Sequence, residues 1–181
     1  MIGHAKFSEY QIVDRPVGER GERQGGLKFL DNPLGLDEKL FIGALGMSGL
    51  TAYSSFHEIG KPKKGEVIFI SAASGAVGSI VGQLAKREGL KVIGSVGSDE
   101  KLKFIVDELG FDGGFNYRTE KPADALKRLL GELGAEGLNI YYDNVGGEQL
   151  DAAIAASATF GRISESKSST YLPGLNEYLS V

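Results

Sequence analysis

The 181-residue chain contains no cysteine and only two histidines, His4 and His57. The first absence removes disulfides and thiolate zinc sites together, and the second leaves too few imidazoles for a dedicated transition-metal site, so the sequence reads as metal-free. No uninterrupted apolar run approaches the roughly 20 residues of a membrane helix, and the opening MIGHAKFSEY lacks the positive-then-apolar order of a signal peptide. Both features lead us to expect a soluble, cytoplasmic protein that does not enter membranes. Nor is there an excess of one charge: 20 Lys and Arg stand among 24 Asp and Glu, for a net charge of -4. That distribution offers no basic stripe to a nucleic-acid backbone.

Glycine, by contrast, is abundant. The 27 glycines are about twice the usual share of roughly 7%. Many fall at the ends of short apolar runs, where turns and close backbone approaches favour a residue without a Cβ. Residues 1–35 are poorly patterned: EYQIV reads as a short strand and DRPVGERGERQGGLKF as a charged loop. From LDEKLF onward apolar residues recur at helical spacing in two segments separated near GMSG, the second ended by Gly60 and Pro62.

After Gly65 strand and helix alternate. EVIFIS, KVIGSV, GGFNY, LNIYYDNV and GRIS read as strands; AVGSIVGQLAKREG, SDEKLKFIVDELG, KPADALKRLLGEL and GEQLDAAIAASATF read as the helices between them. Ser98 is suited to cap the second helix, Pro122 to begin the third, and Gly89 and Gly110 to stop the helices before them. The alternation predicts an α/β fold: a Rossmann-like, doubly wound parallel sheet of about five strands over residues 36–165. An incomplete, partly flexible appendage (1–35) precedes it and an irregular tail (166–181) follows.

The first strand-to-helix turn, FISAASGAVGS, places Ala73, Gly75 and Gly78 at the three small positions of a G-x-G-x-x-G turn. In that setting the second glycine lets the backbone approach a pyrophosphate, the third allows close helix packing, and the helix N-terminus offers free N–H groups to an anion. A dinucleotide is therefore expected there, against the plainer alternative of a tight turn that merely needs small residues. A bulkier residue at Gly78 is expected to fill the pyrophosphate's approach. At the end of the second strand, where an NAD site usually carries Asp or Glu for the ribose hydroxyls, the sequence has Gly97 and Ser98. These leave room for a 2′-phosphate, with Lys101 one helical turn on to supply charge. The alternative is that Lys101 is a solvated residue paired with nearby acids.

GALGMSGLTAY, AASGAVGS, GSDEK, FNY and DNVGGE, in that order between about Phe41 and Ile163, resemble the zinc-independent medium-chain dehydrogenase/reductase superfamily, in particular its NADP-dependent alkenal and enone double-bond reductases. The resemblance implies that Gly75, Ala76, Val77 and Gly78 line the pyrophosphate, that Lys101 and Tyr117 approach the 2′-phosphate, that Asn144 contacts the nicotinamide half, and that Met47 and Thr51 border the nicotinamide. It also implies NADP(H) as cofactor and reduction of an activated C=C bond in a hydrophobic small molecule. In such chemistry hydride passes to the β-carbon, and hydrogen bonds stabilise the enolate oxygen until the α-carbon is protonated. Plainer roles stand beside these: Tyr117 as a strand cap, Asn144 as a turn stabiliser, Met47 as core.

Members of that family have about twice this length, with a barrel-like catalytic domain before the cofactor domain. FSEYQIV resembles the tail of that domain, so the chain reads as truncated at both ends. Beyond GRI the family's small, glycine-bearing loop is replaced by SESKSSTYLPG, with Ser166 and Lys167 at its altered positions. A sheet that stops at GRIS leaves an edge bare, from which we expect a homo-oligomer. Two further readings stay open: a repurposed, cofactor-independent isomerase, cyclase or addition enzyme, and a non-catalytic nucleotide-binding or interaction protein. For the former, Tyr53 and His57 are the weak catalytic candidates, with Glu165 and Lys167 as further acid/base groups.

Overall fold

A computed structural model of the chain describes residues 32–165. The expected N-terminal appendage up to residue 31 and the C-terminal tail, with Ser166 and Lys167, lie outside the described residues. A first unit ends at Glu38. Within it Asn32 closes a turn on Leu36, accepting from the Leu36 N–H (2.9 Å) and donating to its carbonyl (2.8 Å).

The second unit begins at Lys39. It contains helix α1 (Met47–Ser55), extended by a wide turn over Phe56–Gly60, and then five strands in regular alternation with helices. These are β1 (Val67–Ile70), α2 (Ala76–Arg87), β2 (Lys91–Val96), α3 (Asp99–Lys103), β3 (Gly113–Asn116), α4 (Pro122–Glu132), β4 (Leu138–Asp143), α5 (Glu148–Ala155) and β5 (Ser157–Glu165). The strands form one sheet in the order β3-β2-β1-β4-β5, and every pairing is parallel. This is the expected doubly wound sheet. Its order reverses between β1 and β4, and at such a switch the connections leave the sheet on opposite faces and open a crevice above the strand ends.

Alternate residues of β1 enter two separate cores, as the two-residue period of a strand requires. Ile68 and Ile70 join Val92, Ile140 and Tyr142 on the face covered by α1, α2 and α3, whereas Val67 and Phe69 join Ile93, Phe115 and Tyr141 under α4 and α5. All four residues of β1 are buried, which is why VIFI is a continuous apolar run and not an alternating one. α4 starts at Pro122, whose missing N–H is no loss in a first turn, and buries Leu126, Leu129 and Leu130.

Three boundaries differ from the sequence reading. The stop after α1 is made by Lys61, in the left-handed region at φ +44°, and not by Gly60. The helix begun at Asp99 is regular only to Lys103; it continues as a wide turn in which Leu109 N–H reaches back five residues to the Phe104 carbonyl (3.2 Å). The alanine-rich run after Gly147 leaves the helix at Ala156, whose carbonyl takes the Leu138 N–H (2.8 Å). Pairing with β4 thus claims SATF for the strand despite its helical periodicity. The extra length is absorbed by a bulge between Leu138 and Ile140, where Phe160 has φ +62° and is 92% exposed.

An Arg162 strap closes the far side of the sheet. Its Nε donates to the Gly60 carbonyl (2.7 Å), and its guanidinium also meets Glu66, which accepts from the Lys63 N–H. Close packing on the α2 and α3 face depends on Gly94: a Cβ there would lie 2.7 Å from Ile105, 2.8 Å from Ala73 and 2.9 Å from Phe111. Gly94→Ala is expected to lower stability by about 2 kcal/mol through overpacking, read as a fall in the urea midpoint with an unchanged slope.

Candidate functional site

The turn between β1 and α2 stands at the switch crevice and is fastened on both sides. Ala73 N–H donates to the Ser95 carbonyl of β2 (2.9 Å), and Ser71 N–H to the Tyr142 carbonyl of β4 (3.1 Å). Gly75 caps α2 in an extended conformation and donates to the Ala72 carbonyl (2.9 Å). The first bond into the helix runs from Ser79 N–H to the Gly75 carbonyl. The N–H groups of Ala76 and Val77 therefore lack an intrahelical acceptor, and Gly75 and Ala76 are exposed. An exposed helix N-terminus above the strand ends has the donors and dipole that a pyrophosphate needs.

Gly78 has the packing role expected of the third small position of the turn. It is buried, and a Cβ would fall 2.6 Å from the Ala72 carbonyl oxygen and 3.0 Å from Ala73 Cα. A larger residue at Gly78 would collide with the turn backbone beneath it; the requirement is helix packing, and the anion's side of the turn is left to Gly75–Val77.

A second cluster forms at the ends of β2 and β3. The Tyr117 hydroxyl lies over Gly97, 2.8 Å from where a Cβ would stand, so a side chain there would displace the tip of the tyrosine. Ser98 caps α3 by accepting from the Lys101 N–H (3.3 Å). Lys101 is exposed and carries no ion pair among the described residues. Asp99 is held by Asn116 Nδ2 (2.8 Å). Tyr117 therefore sits beside Gly97, and Ser98 and Lys101 share the first turn of α3 next to it in sequence.

On the other wall of the crevice Asn144 donates through Nδ2 to the Ser71 carbonyl (2.7 Å) and through its backbone N–H to Ser71 Oγ (2.8 Å). The turn-stabilising role is real, and it places the side chain where β4 ends. Met47 is 74% exposed and is not core, and Thr51 lies one turn further along α1. Tyr53 and His57 face each other, ring centroids 4.5 Å apart, on α1 and the turn after it. That turn ends at the Arg162 strap, opposite the middle of β4 and away from the strand ends. Glu165, exposed, pairs in register with Asp143 at the end of β5.

Asp143 and Ser71 were not singled out from the sequence, although Asp-Asn before Val-Gly-Gly is a turn signal. Asp143 is buried, and its Oδ1 accepts from the Tyr141 hydroxyl (2.8 Å) and the N–H groups of Val145 (2.9 Å) and Gly146 (2.7 Å). Burial, reinforced by the Asp143 carboxylate, pushes the Tyr141 hydroxyl above its ordinary value of 10.0.

Among the described residues no three His, Asp or Glu side chains converge as metal ligands. Nor is any helix of the described residues long and apolar enough to cross a membrane.

A doubly wound sheet with a glycine turn and an anion-ready helix at its switch point defines a dinucleotide-binding domain. The family model of zinc-binding dehydrogenases matches residues 76–166, and the chain belongs to that family; its likeness lies among the medium-chain reductases. It is 62% identical over 161 residues to an NADP-dependent oxidoreductase of Cochliobolus heterostrophus, covering 89% of this chain and 43% of the relative. It is 50% identical to an NADP(+)-dependent 2-alkenal reductase of Nicotiana tabacum, covering 68% of this chain and 35% of the relative. A crystal structure of CurA with NADPH from Vibrio vulnificus superposes with a TM-score of 0.62 at 42% identity, covering 69% of this chain and 36% of that one. The chain spans less than half the length of these proteins.

The raised Tyr141 value fixes the sign of a pH effect. The unfolded chain releases this proton near 10.0 and the folded chain keeps it, so the tyrosine's contribution to stability is intact below about pH 10 and is lost as pH rises beyond it. Between about pH 9 and 11 the urea midpoint should fall more steeply for the unaltered protein than for Tyr141→Phe.

Proposed function

We propose that the chain binds NADP(H) across the crevice above β1 and β4 and serves the reduction of an activated C=C bond in a hydrophobic enone or alkenal. The observation that carries this reading is the cluster at the end of β2: Gly97 and Ser98 stand where a ribose-binding carboxylate would exclude a 2′-phosphate, and an unpaired Lys101 and the Tyr117 hydroxyl lie beside them. Ala76 and Val77 N–H groups hold the pyrophosphate, Lys101 and Tyr117 the 2′-phosphate, and Asn144, Met47 and Thr51 border the nicotinamide. When bound, the cofactor supplies the hydride; the chain's own residues bind it, orient it and limit its contact with water. The exposed apolar side chains of Met47 and Leu50 suit a hydrophobic substrate. Tyr53 and His57 have no assigned part in the chemistry. The names of the 2-alkenal reductase and of a (+)-pulegone reductase from Mentha piperita, 43% identical to this chain, support the same substrate class.

Titration with NADPH and NADH, followed by nucleotide fluorescence and melting temperature, tests the reading. NADPH should bind more tightly, and Lys101→Ala should weaken NADPH by about tenfold, the loss of one charge-assisted contact, while leaving NADH within about twofold. No NADPH binding, or equal loss of both nucleotides, would remove the 2′-phosphate assignment.

The β5 edge supports a second part of the proposal, self-association. Among the described residues β5 pairs on one side only, with β4, and it carries Phe160 (92% exposed) and Ile163 (41% exposed). An unprotected apolar edge of this kind favours pairing with another copy. Sedimentation should show a dimer, and Phe160→Lys should shift it toward monomer. A monomer at every accessible concentration would refute this part alone.

A further inference from the structure

The strand ends at the switch point are joined by one buried hydroxyl. Ser71, fully buried, is the first residue after β1. Its Oγ accepts from the Asn144 N–H (2.8 Å), and its single proton can go to Asp143 Oδ1 (3.3 Å) or the Tyr142 carbonyl (3.4 Å). Its own carbonyl takes the Asn144 Nδ2 (2.7 Å). Asp143 in turn gathers the N–H groups of Val145 and Gly146 on the oxygen that faces Ser71. The turn that leads into α2 and the turn that leaves β4 are therefore one hydrogen-bonded body.

A dinucleotide laid across this switch point touches both turns, the pyrophosphate on the first and the half beyond it against the second. Its 2′-phosphate end lies elsewhere, on Gly97, Ser98, Lys101 and Tyr117, none of which is a hydrogen-bond partner of Ser71 among the described residues. We infer that Ser71, acting through Asn144 and Asp143, is a positioning residue that sets the crevice for the nicotinamide half of the cofactor and leaves the adenosine end untouched. The inference rests on the NADP(H) reading above.

The geometry gives the expected consequence of removing the hydroxyl. Ser71→Ala leaves the Asn144 N–H without its acceptor at a half-buried site and takes one donor from Asp143. The two walls then keep the Asn144 Nδ2 bond to the residue-71 carbonyl and the strand-like bond to Tyr142, and lose the hydroxyl that fixed the backbone of Asn144 against the first turn. The misplacement should be felt by a ligand that needs both walls, and not by one that needs only the end of β2.

Adenosine 2′,5′-bisphosphate carries the 2′-phosphate end without the nicotinamide half, so binding can separate the two regions without any turnover. Calorimetric titration of Ser71→Ala should show NADPH weakened about tenfold and the bisphosphate held within about twofold, with Ser71→Thr, which keeps the hydroxyl, recovering most of the NADPH affinity. A merely structural role would weaken both ligands together or neither, and either pattern overturns the inference. If Ser71→Ala does not fold, Ser71→Cys keeps the size with a much weaker donor and acceptor, and the same split between ligands decides. Failure of the unaltered protein to bind NADPH would instead overturn the cofactor reading, and this assignment with it.

Discussion

The crossover from β1 into α2 is made with almost no space. The first turn of the helix rests on the carbonyl of Ala72, a residue itself held at φ +48°, and only the missing Cβ of Gly78 permits the contact. That proximity aims the helix N-terminus over the strand ends and brings Ala73 within hydrogen-bonding reach of β2. It also lowers α2 onto the sheet far enough that Gly82 lies against the Phe111 ring and Gly94 against three side chains. A chain with ordinary side chains at these positions would need a wider layer spacing, and the turn would no longer present its N–H groups to the crevice.

The broad plan was legible because its signals are local. A four-residue apolar run, a turn of small residues and an amphipathic helix repeat along the chain, and each is a period or a cap that can be counted. The Ser98 cap and the Pro122 start belong to this class. What could not be counted depended on partners distant in sequence. The start of β5 is fixed by Leu138, and the wide turn after Lys103 by the packing of Ile105 into the core of the sheet. Ser71 and Asp143 were invisible for the same reason: their bonds join residues about seventy positions apart.

The described residues hold the cofactor half of the family's architecture, and this shapes what the site can do alone. On the proposed cofactor reading, phosphate recognition uses backbone N–H groups and a few side chains carried by the elements of one sheet. Substrate recognition draws on a wider surface, and α1 exposes Met47, Leu50 and Tyr53 along one flank. The division separates binding a nucleotide, which these strands can organise alone, from excluding water around a reacting double bond, which requires a roof over the crevice.

Arg162 carries a consequence of another kind. Its guanidinium joins the last described strand to Gly60 and Glu66, on either side of the loop that feeds the first. The edge strand is the element most easily peeled from an open sheet, yet here its detachment would also free the end of α1 and the approach to β1. Local opening at the edge and loosening of the chain's entry into the sheet are thus a single event, and the boundary of the cooperative unit runs through that arginine rather than between the strands.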